Sequence, residues 1–292
     1  MRKITLYNFS VLKYNPDIKT KPHREKKGKR IMKKTIALIL AVLMIAACFV
    51  GCGEEKKTIT VGYTIYAPMN YLDDAGNLVG FDTDLAKAVF GNMGYEVIFQ
   101  EIDWNQRYTD LASGAIDCIW NGFTCNTADT DGVLRSQKVD FSYNYMENRQ
   151  VIVTKADSGI ATAADLAGKL IAVESGSAGE SYAATFEGAA VKGFLKQTDC
   201  LLEVNSSTAD AAILDAQLAK SYVGKGDYAN LTVVDALSSD VEYYAIGFEK
   251  GSELTAQVNA QLEALAADGT IAKLAKTYGV ENTAITDFSD QK

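Results

Sequence analysis

Apolar and polar positions along this chain switch repeatedly between a period of two and a period near 3.6. The organising stretch is residues 116–141, IDCIWNGFTCNTADTDGVLRSQKVDF. Ile116, Cys118 and Trp120 alternate with Asp117, Ile119 and Asn121, which predicts a largely buried strand. The run breaks at Asn121-Gly122 into a polar loop with one arginine, Arg135, and turns apolar again at Val139. Such a loop can hold a small anion. Its N–H groups donate to one carboxylate oxygen, and a planar guanidinium takes the carboxylate bidentately.

On either side the pattern predicts alternating strands and helices. Residues 58–63 (TITVGY) read as a strand, 66–69 as a turn fixed at Pro68, and 73–76 as a hairpin turn. Asp82 reads as an N-cap, with Leu85, Ala86, Val89 and Phe90 as the stripe of the helix that follows. A strand over 95–102 and a helix over 104–112 lead into the central strand. A second unit follows, with strands at 150–155, 169–173, 211–214 and 242–248. Its helices fall at 163–167, 179–187 and 215–222, and two more close the chain at 253–267 and 270–278. Strand and helix in alternation predict parallel, right-handed α/β sheets. Two such lobes with strands crossing between them place a cleft at the carboxyl ends of the strands.

Charge separates the first 51 residues from the rest. They hold 12 Lys and Arg against Asp17 and Glu25; of the chain's 29 basic and 37 acidic residues, 17 and 35 remain beyond Gly51, a net charge of −18. A body this acidic is poorly suited to nucleic acid or an anionic membrane surface. The one histidine, His23, falls in the first segment, so the body has no Ser/His, Cys/His or His-metal chemistry. Beyond Cys52 its three cysteines, Cys118, Cys125 and Cys200, have no metal spacing. Neither a metal nor a cofactor is expected. Met32-Lys33-Lys34 and the apolar run to Val50 form a complete secretory signal (32–51), which makes 1–31 a basic leader produced by an artefactual start site. Cys52 and Cys48 both end lipobox-like sequences. Cys52, followed by a polar tether (52–57), is the expected lipid anchor and Cys48 the alternative.

VGYTIYAPMNYLDDAGNLVGFDTDLAKAV (61–89), IDCIWNGFT (116–124), RSQKVDFS (135–142), DLAGKLIAVESGSAGE (165–180), ADAAILD (209–215) and LEALAADGTIAKLAKTYG (262–279) together resemble the family-three extracellular solute-binding proteins, the amino-acid receptors of ABC importers. The resemblance covers most of residues 58–280. It implies a periplasmic-binding-protein type II fold, with lobe 1 at 58–145 and 243–292 and lobe 2 at 146–242. It also implies a monomeric, lipid-anchored bacterial receptor at the extracellular face of the membrane, working with ABC permease subunits. Arg135 would clamp the ligand's α-carboxylate, helped by backbone N–H groups near Thr124 and Ala178, with Ser177 beside them. Asp215 would accept the α-ammonium. Tyr66 and Trp104 would flank the ligand side chain, and Asn121 and Gly122 would line the floor.

Relative to the family, 127–132 reads as an insertion ahead of Arg135, with Asp129 in the column where the arginine stands. Tyr66, Met69, Trp104, Trp120 and Phe123 suggest a pocket for a neutral or polar amino acid, the acidic surface leaving a cationic one open. Two other functions fit the same fold: a ligand-binding sensor, and a cyclohexadienyl-dehydratase-like enzyme in which Glu174, Glu180 or a lysine would serve as acid and base.

Overall fold

The computed structural model describes residues 57–291; the expected leader, signal segment and anchor cysteines Cys48 and Cys52 fall on residues 1–56, outside the described residues. The described residues make one compact unit. It contains two five-stranded sheets and a small hairpin of β2 (Tyr71–Leu72) and β3 (Leu78–Val79). The first comprises β1 (Lys57–Tyr63), β4 (Tyr95–Glu101), β5 (Cys118–Ile119), β6 (Asp140–Phe141) and β14 (Gly247–Phe248), in the order β4-β1-β5-β14-β6. The second comprises β8 (Gln150–Lys155), β9 (Leu170–Glu174), β10 (Ala190–Phe194), β11 (Ala211–Asp215) and β12 (Leu231–Val233), in the order β10-β9-β11-β8-β12.

Each sheet is parallel except for one strand. β14 runs against β5 and β6, and β8 runs against β11 and β12. These are the first strands the chain lays down after crossing from the other sheet. The crossings themselves, β7 (Met146–Asn148) and β13 (Glu242–Tyr244), pair antiparallel with Asn148 opposite Glu242. The sequence pattern reads 242–248 as a single strand. In the structure it leaves the crossing pair at Tyr244 and joins the first sheet at Gly247.

The helices cover the sheets with the stripes expected of them. In α1 (Phe81–Asn92), Leu85, Ala86, Val89 and Phe90 are fully buried. Burying four such side chains contributes about 1.5–3 kcal/mol for each of the larger ones. Asp82 does not cap this helix: the N-cap is Gly80, and Asp82 lies in the first turn. Its buried Oδ2 instead accepts from the Gly122 N–H at 2.9 Å and the Tyr145 hydroxyl at 2.9 Å. The acid therefore ties the helix to the loop after β5. A 3-10 turn at Trp104–Gln106 runs into α2 (Arg107–Ala112). Helices α3 (Arg135–Lys138), α4 (Ala178–Ala183), α5 (Gln197–Asn205), α6 (Ala216–Tyr222), α7 (Leu254–Ala267) and α8 (Thr270–Tyr278) complete the set. Among the described residues no helix is long and apolar enough to cross a membrane.

Candidate functional site

The loop after β5 turns at Gly122, whose φ of +56° suits glycine; a Cβ there would sit 2.6 Å from the Tyr66 ring and 3.1 Å from that of Tyr244. Asn121 is locked behind it. Its amide donates to the Thr64 carbonyl and to Asn70 Oδ1, both at 2.8 Å, and its own Oδ1 accepts from the Thr64 hydroxyl at 2.7 Å. Thr124 pairs with Tyr244, and the Cys125 N–H donates to the Tyr243 carbonyl at 2.9 Å, so the loop is stitched to the crossing strand β13.

Residues 127–132, read as an insertion, fold into a tight hairpin. Ala128 pairs with Leu134, the Asp129 N–H donates to the Val133 carbonyl at 3.0 Å, and the Arg135 N–H returns to the Thr127 carbonyl at 3.1 Å. The extra residues are looped out and Arg135 returns beside Thr127. Its guanidinium is 1% exposed. Nε donates to Asp129 Oδ1 at 2.7 Å, Nη1 to the Thr124 carbonyl at 3.1 Å, and Nη2 to the Gly176 carbonyl of the second lobe at 3.2 Å.

Asp129 also accepts from Arg107 Nη2, Lys138 Nζ and the Tyr108 hydroxyl, at 2.8, 2.8 and 2.7 Å. Burial alone would push the Asp129 carboxyl up, but Arg135, Lys138 and Arg107 outweigh it and hold it at about 2. Both guanidiniums also lie near the ring of Phe123, 5.3 Å away for Arg135 Cζ and 5.5 Å for Arg107 Cζ.

The opposite wall comes from the second lobe. Ser177 caps α4 by accepting from the Glu180 N–H at 3.1 Å. Asp215 stands at the N-cap of α6, yet its side chain makes no capping bond. Its carboxylate is free for the amides of Asn148 at 2.7 Å, Gln150 at 2.6 Å, and Gln197. The Asn148 and Gln150 amides also donate to Glu242, at 2.6 and 2.7 Å, so two amides bridge two buried carboxylates. Burial raises both acids. The Glu242 carboxyl reaches about 7, helped by the charge of Asp215. Glu174 ends β9 nearby; burial and then the Asp215 charge raise it to about 8.

These walls meet in a narrow, partly open cleft whose accessible volume is only about 10 Å³. It is lined by Trp104, Asn121, Gly122, Thr124 and Arg135 from the first lobe and by Glu174, Ser177, Ala178, Gln197 and Asp215 from the second. The structure thus brings eight of the nine residues named from the sequence onto one cleft. Tyr66 stands apart, buried behind Gly122 with its hydroxyl 2.7 Å from that of Tyr244. Met69, Trp120 and Phe123 are fully buried core and do not line the cleft. Cys125 lies near the loop with its Sγ 3.0 Å from Asn144 Oδ1.

Sequence reasoning did not place Gln197 or Glu242 here, and it named Glu174 only as an acid or base of the enzyme alternative. Gln197, Cys200, Leu201 and Val204 bury one face of α5, a stripe spaced 3, 1 and 3 that was available in the sequence.

The raised acids make a pH dependence. A carboxyl whose folded value exceeds its unfolded one stabilises the fold fully below the unfolded value, here the ordinary 4.5, and that stability is lost as pH rises through about 7 for Glu242 and about 8 for Glu174. The ligand-free protein should therefore melt several degrees lower at pH 8 than at pH 5.5, and Glu242→Gln should recover part of the difference while changing little at pH 4.5. Parallel melting curves of both proteins across that range would refute this assignment.

Two α/β lobes joined by a pair of crossing strands, with a guanidinium from one lobe and a carboxylate from the other facing a shared cleft, define a bilobal receptor for a small solute. The chain belongs to the bacterial extracellular solute-binding proteins, family 3, whose pattern matches residues 59–281. It is similar to the arginine-binding extracellular protein ArtP of Bacillus subtilis (strain 168), 32% identical over 258 residues, spanning 85% of this chain and 98% of that one. It also resembles the L-cystine-binding protein TcyA of the same organism, 29% identical over 271 residues, spanning 85% and 97%. Among solved structures, an ancestral arginine-binding protein bound to arginine superposes with a TM-score of 0.68 at 34% identity, covering 76% of this chain and 97% of that one.

Proposed function

We propose that this protein captures a free amino acid between its lobes and presents it to the membrane subunits of an ABC importer. In this reading it works as a monomer at the outer face of the membrane, held by a lipid on Cys52 or, failing that, Cys48, and it is a receptor, not an enzyme. The observation that carries the reading is the distribution of charge over the cleft. Arg135 comes from the first lobe and Asp215 from the second, and both line the same space. A zwitterion needs a cation at one end and an anion at the other. Arg135, with amides near Thr124 and Ala178, takes the α-carboxylate; Asp215 takes the α-ammonium. Neither lobe alone offers both, so ligand favours the closed arrangement and drives closure. Thr124, Gly122 and Asn121 form the floor, Ser177 supports the carboxylate end, and Trp104 contacts the side chain. Tyr66 acts from behind Gly122. Lobe 1 is then 58–145 with 243–292, and lobe 2 is 146–242.

The named relatives bind arginine and cystine, side chains of different chemistry. Kinship supports the class of ligand and leaves the side chain to the residues of the cleft. The test is thermal unfolding of the body from residue 54 onward with each common amino acid at millimolar concentration. Ligand at 100 times its Kd adds about 2.7 kcal/mol, enough to raise the midpoint by several degrees. No shift with any amino acid would end the amino-acid reading.

A further inference from the structure

Glu174 is the group on the cleft that the zwitterion leaves unmatched. It is 4% exposed, it lines the cleft, and its Oε1 has no hydrogen-bond partner among the described residues. The other charged groups there are provided for. Arg135 has Asp129 and two carbonyls, and Asp215 has the amides of Asn148, Gln150 and Gln197. A buried carboxyl oxygen without a hydrogen-bond partner is costly in either protonation state, and native structures leave few such atoms.

Its position fits a side-chain reader. β9 and β11 are parallel neighbours with Ala172 opposite Ala212, so Glu174 and Asp215 sit at the carboxyl ends of adjacent strands, about 5 Å between strand axes. A ligand whose α-ammonium rests on Asp215 therefore carries its side chain past Glu174. Trp104 lines the same cleft and offers an aromatic surface suited to a cation. With a neutral side chain, the ligand's two charges are met by Arg135 and Asp215, and Glu174 keeps only its bond with Gln197 and the nearby Arg107 charge, its Oε1 still without a donor.

We infer that Glu174 is the residue that reads the ligand's side chain, and that this receptor takes amino acids carrying a second positive charge, such as arginine, lysine or ornithine. The inference rests on the amino-acid reading of the cleft and narrows it. It also displaces the neutral or polar side chain suggested by the aromatic residues, most of which lie in the core.

The test is calorimetric titration at pH 7.5 of wild type and Glu174→Gln with arginine, lysine, glutamine and citrulline, the last being arginine's uncharged counterpart. Wild type should bind arginine or lysine at least about tenfold more tightly than citrulline or glutamine, as a charge-assisted contact requires. Glu174→Gln should weaken arginine or lysine by about tenfold or more and leave glutamine and citrulline within about threefold. The wild-type comparison of arginine with citrulline needs no variant and stands even if Glu174→Gln misfolds. Binding of neutral and basic amino acids with equal affinity, or a variant that keeps the wild-type ratio, overturns the role of Glu174 while leaving the amino-acid receptor intact. Failure of wild type to bind any of the four, or any other amino acid, overturns the receptor reading itself.

Discussion

Arg135→Ala should reduce amino-acid affinity by roughly 10²- to 10⁴-fold, since a bidentate contact to a carboxylate is two hydrogen bonds to charge, each about 1.5–3 kcal/mol. The guanidinium is already engaged, with Nε on Asp129 and one bond from each Nη to a carbonyl. Each Nη keeps a second N–H, and the side chain lines the cleft. The alanine variant also removes a buried cation from Asp129, so loss of binding alone could reflect loss of structure. Arg135→Lys separates the two effects. It keeps a charge for Asp129 and gives up the planar fork. It should stay folded, with a melting midpoint near wild type, and still bind at least about tenfold more weakly in the same titration. An Arg135→Lys protein with wild-type affinity would mean that the carboxylate is held elsewhere.

Asp129→Ala should be the most damaging single change to stability. It strips one carboxylate from Arg107, Arg135 and Lys138 at once. Arg107 and Arg135 are 2% and 1% exposed, and water cannot replace what they lose. Breaking one buried pair costs about 3–5 kcal/mol, and two guanidiniums left together against Phe123 should put this variant at the upper end of that range. The midpoint and slope of urea unfolding would measure it. A loss under about 1 kcal/mol would show that the cluster is far wetter than its burial implies. Wild type should keep the contribution of Asp129 down to acidic pH: the carboxyl titrates near 2 in the fold, so its stabilisation is complete above the ordinary 3.8 and declines only below that.

The arginine was legible in the sequence; the way it is held was not. Its identity followed from the text after it, RSQKVDF, and the intervening residues looked like an obstacle. The structure shows why they are none: a hairpin closed by the Ala128–Leu134 bridge adds length without displacing its ends. Asp129, which looked like a lost arginine column, became the counter-ion of the arginine that moved. Asp215 was named through the resemblance, which puts an acid at the end of ADAAILD; in the structure its side chain makes no capping bond to α6.

Glu242 and Glu174 were less legible, because a glutamate at a strand end has the same local pattern whether it faces solvent or a second acid. The environment of Glu242 is set by pairings across 94 residues with Asn148 and 92 with Gln150, and no local periodicity encodes those. The break between β13 and β14 has the same origin. Nothing in EYYAIGF stops a strand; the chain changes partner because the two strands belong to different sheets.

The chain's two tryptophans fall in opposite surroundings. Trp120 is sealed in the first lobe, with Phe90 and Tyr145 rings about it at 5.8 and 6.1 Å. Trp104 lies on the cleft, edge-on to Phe123 at 5.3 Å and 5.0 Å from the Arg107 guanidinium. One indole is thus a constant emitter, and the other borders the space that a ligand fills and water leaves. The protein carries its own fluorescent gauge and its own internal standard, so occupancy can be followed by intensity ratio without attaching a dye.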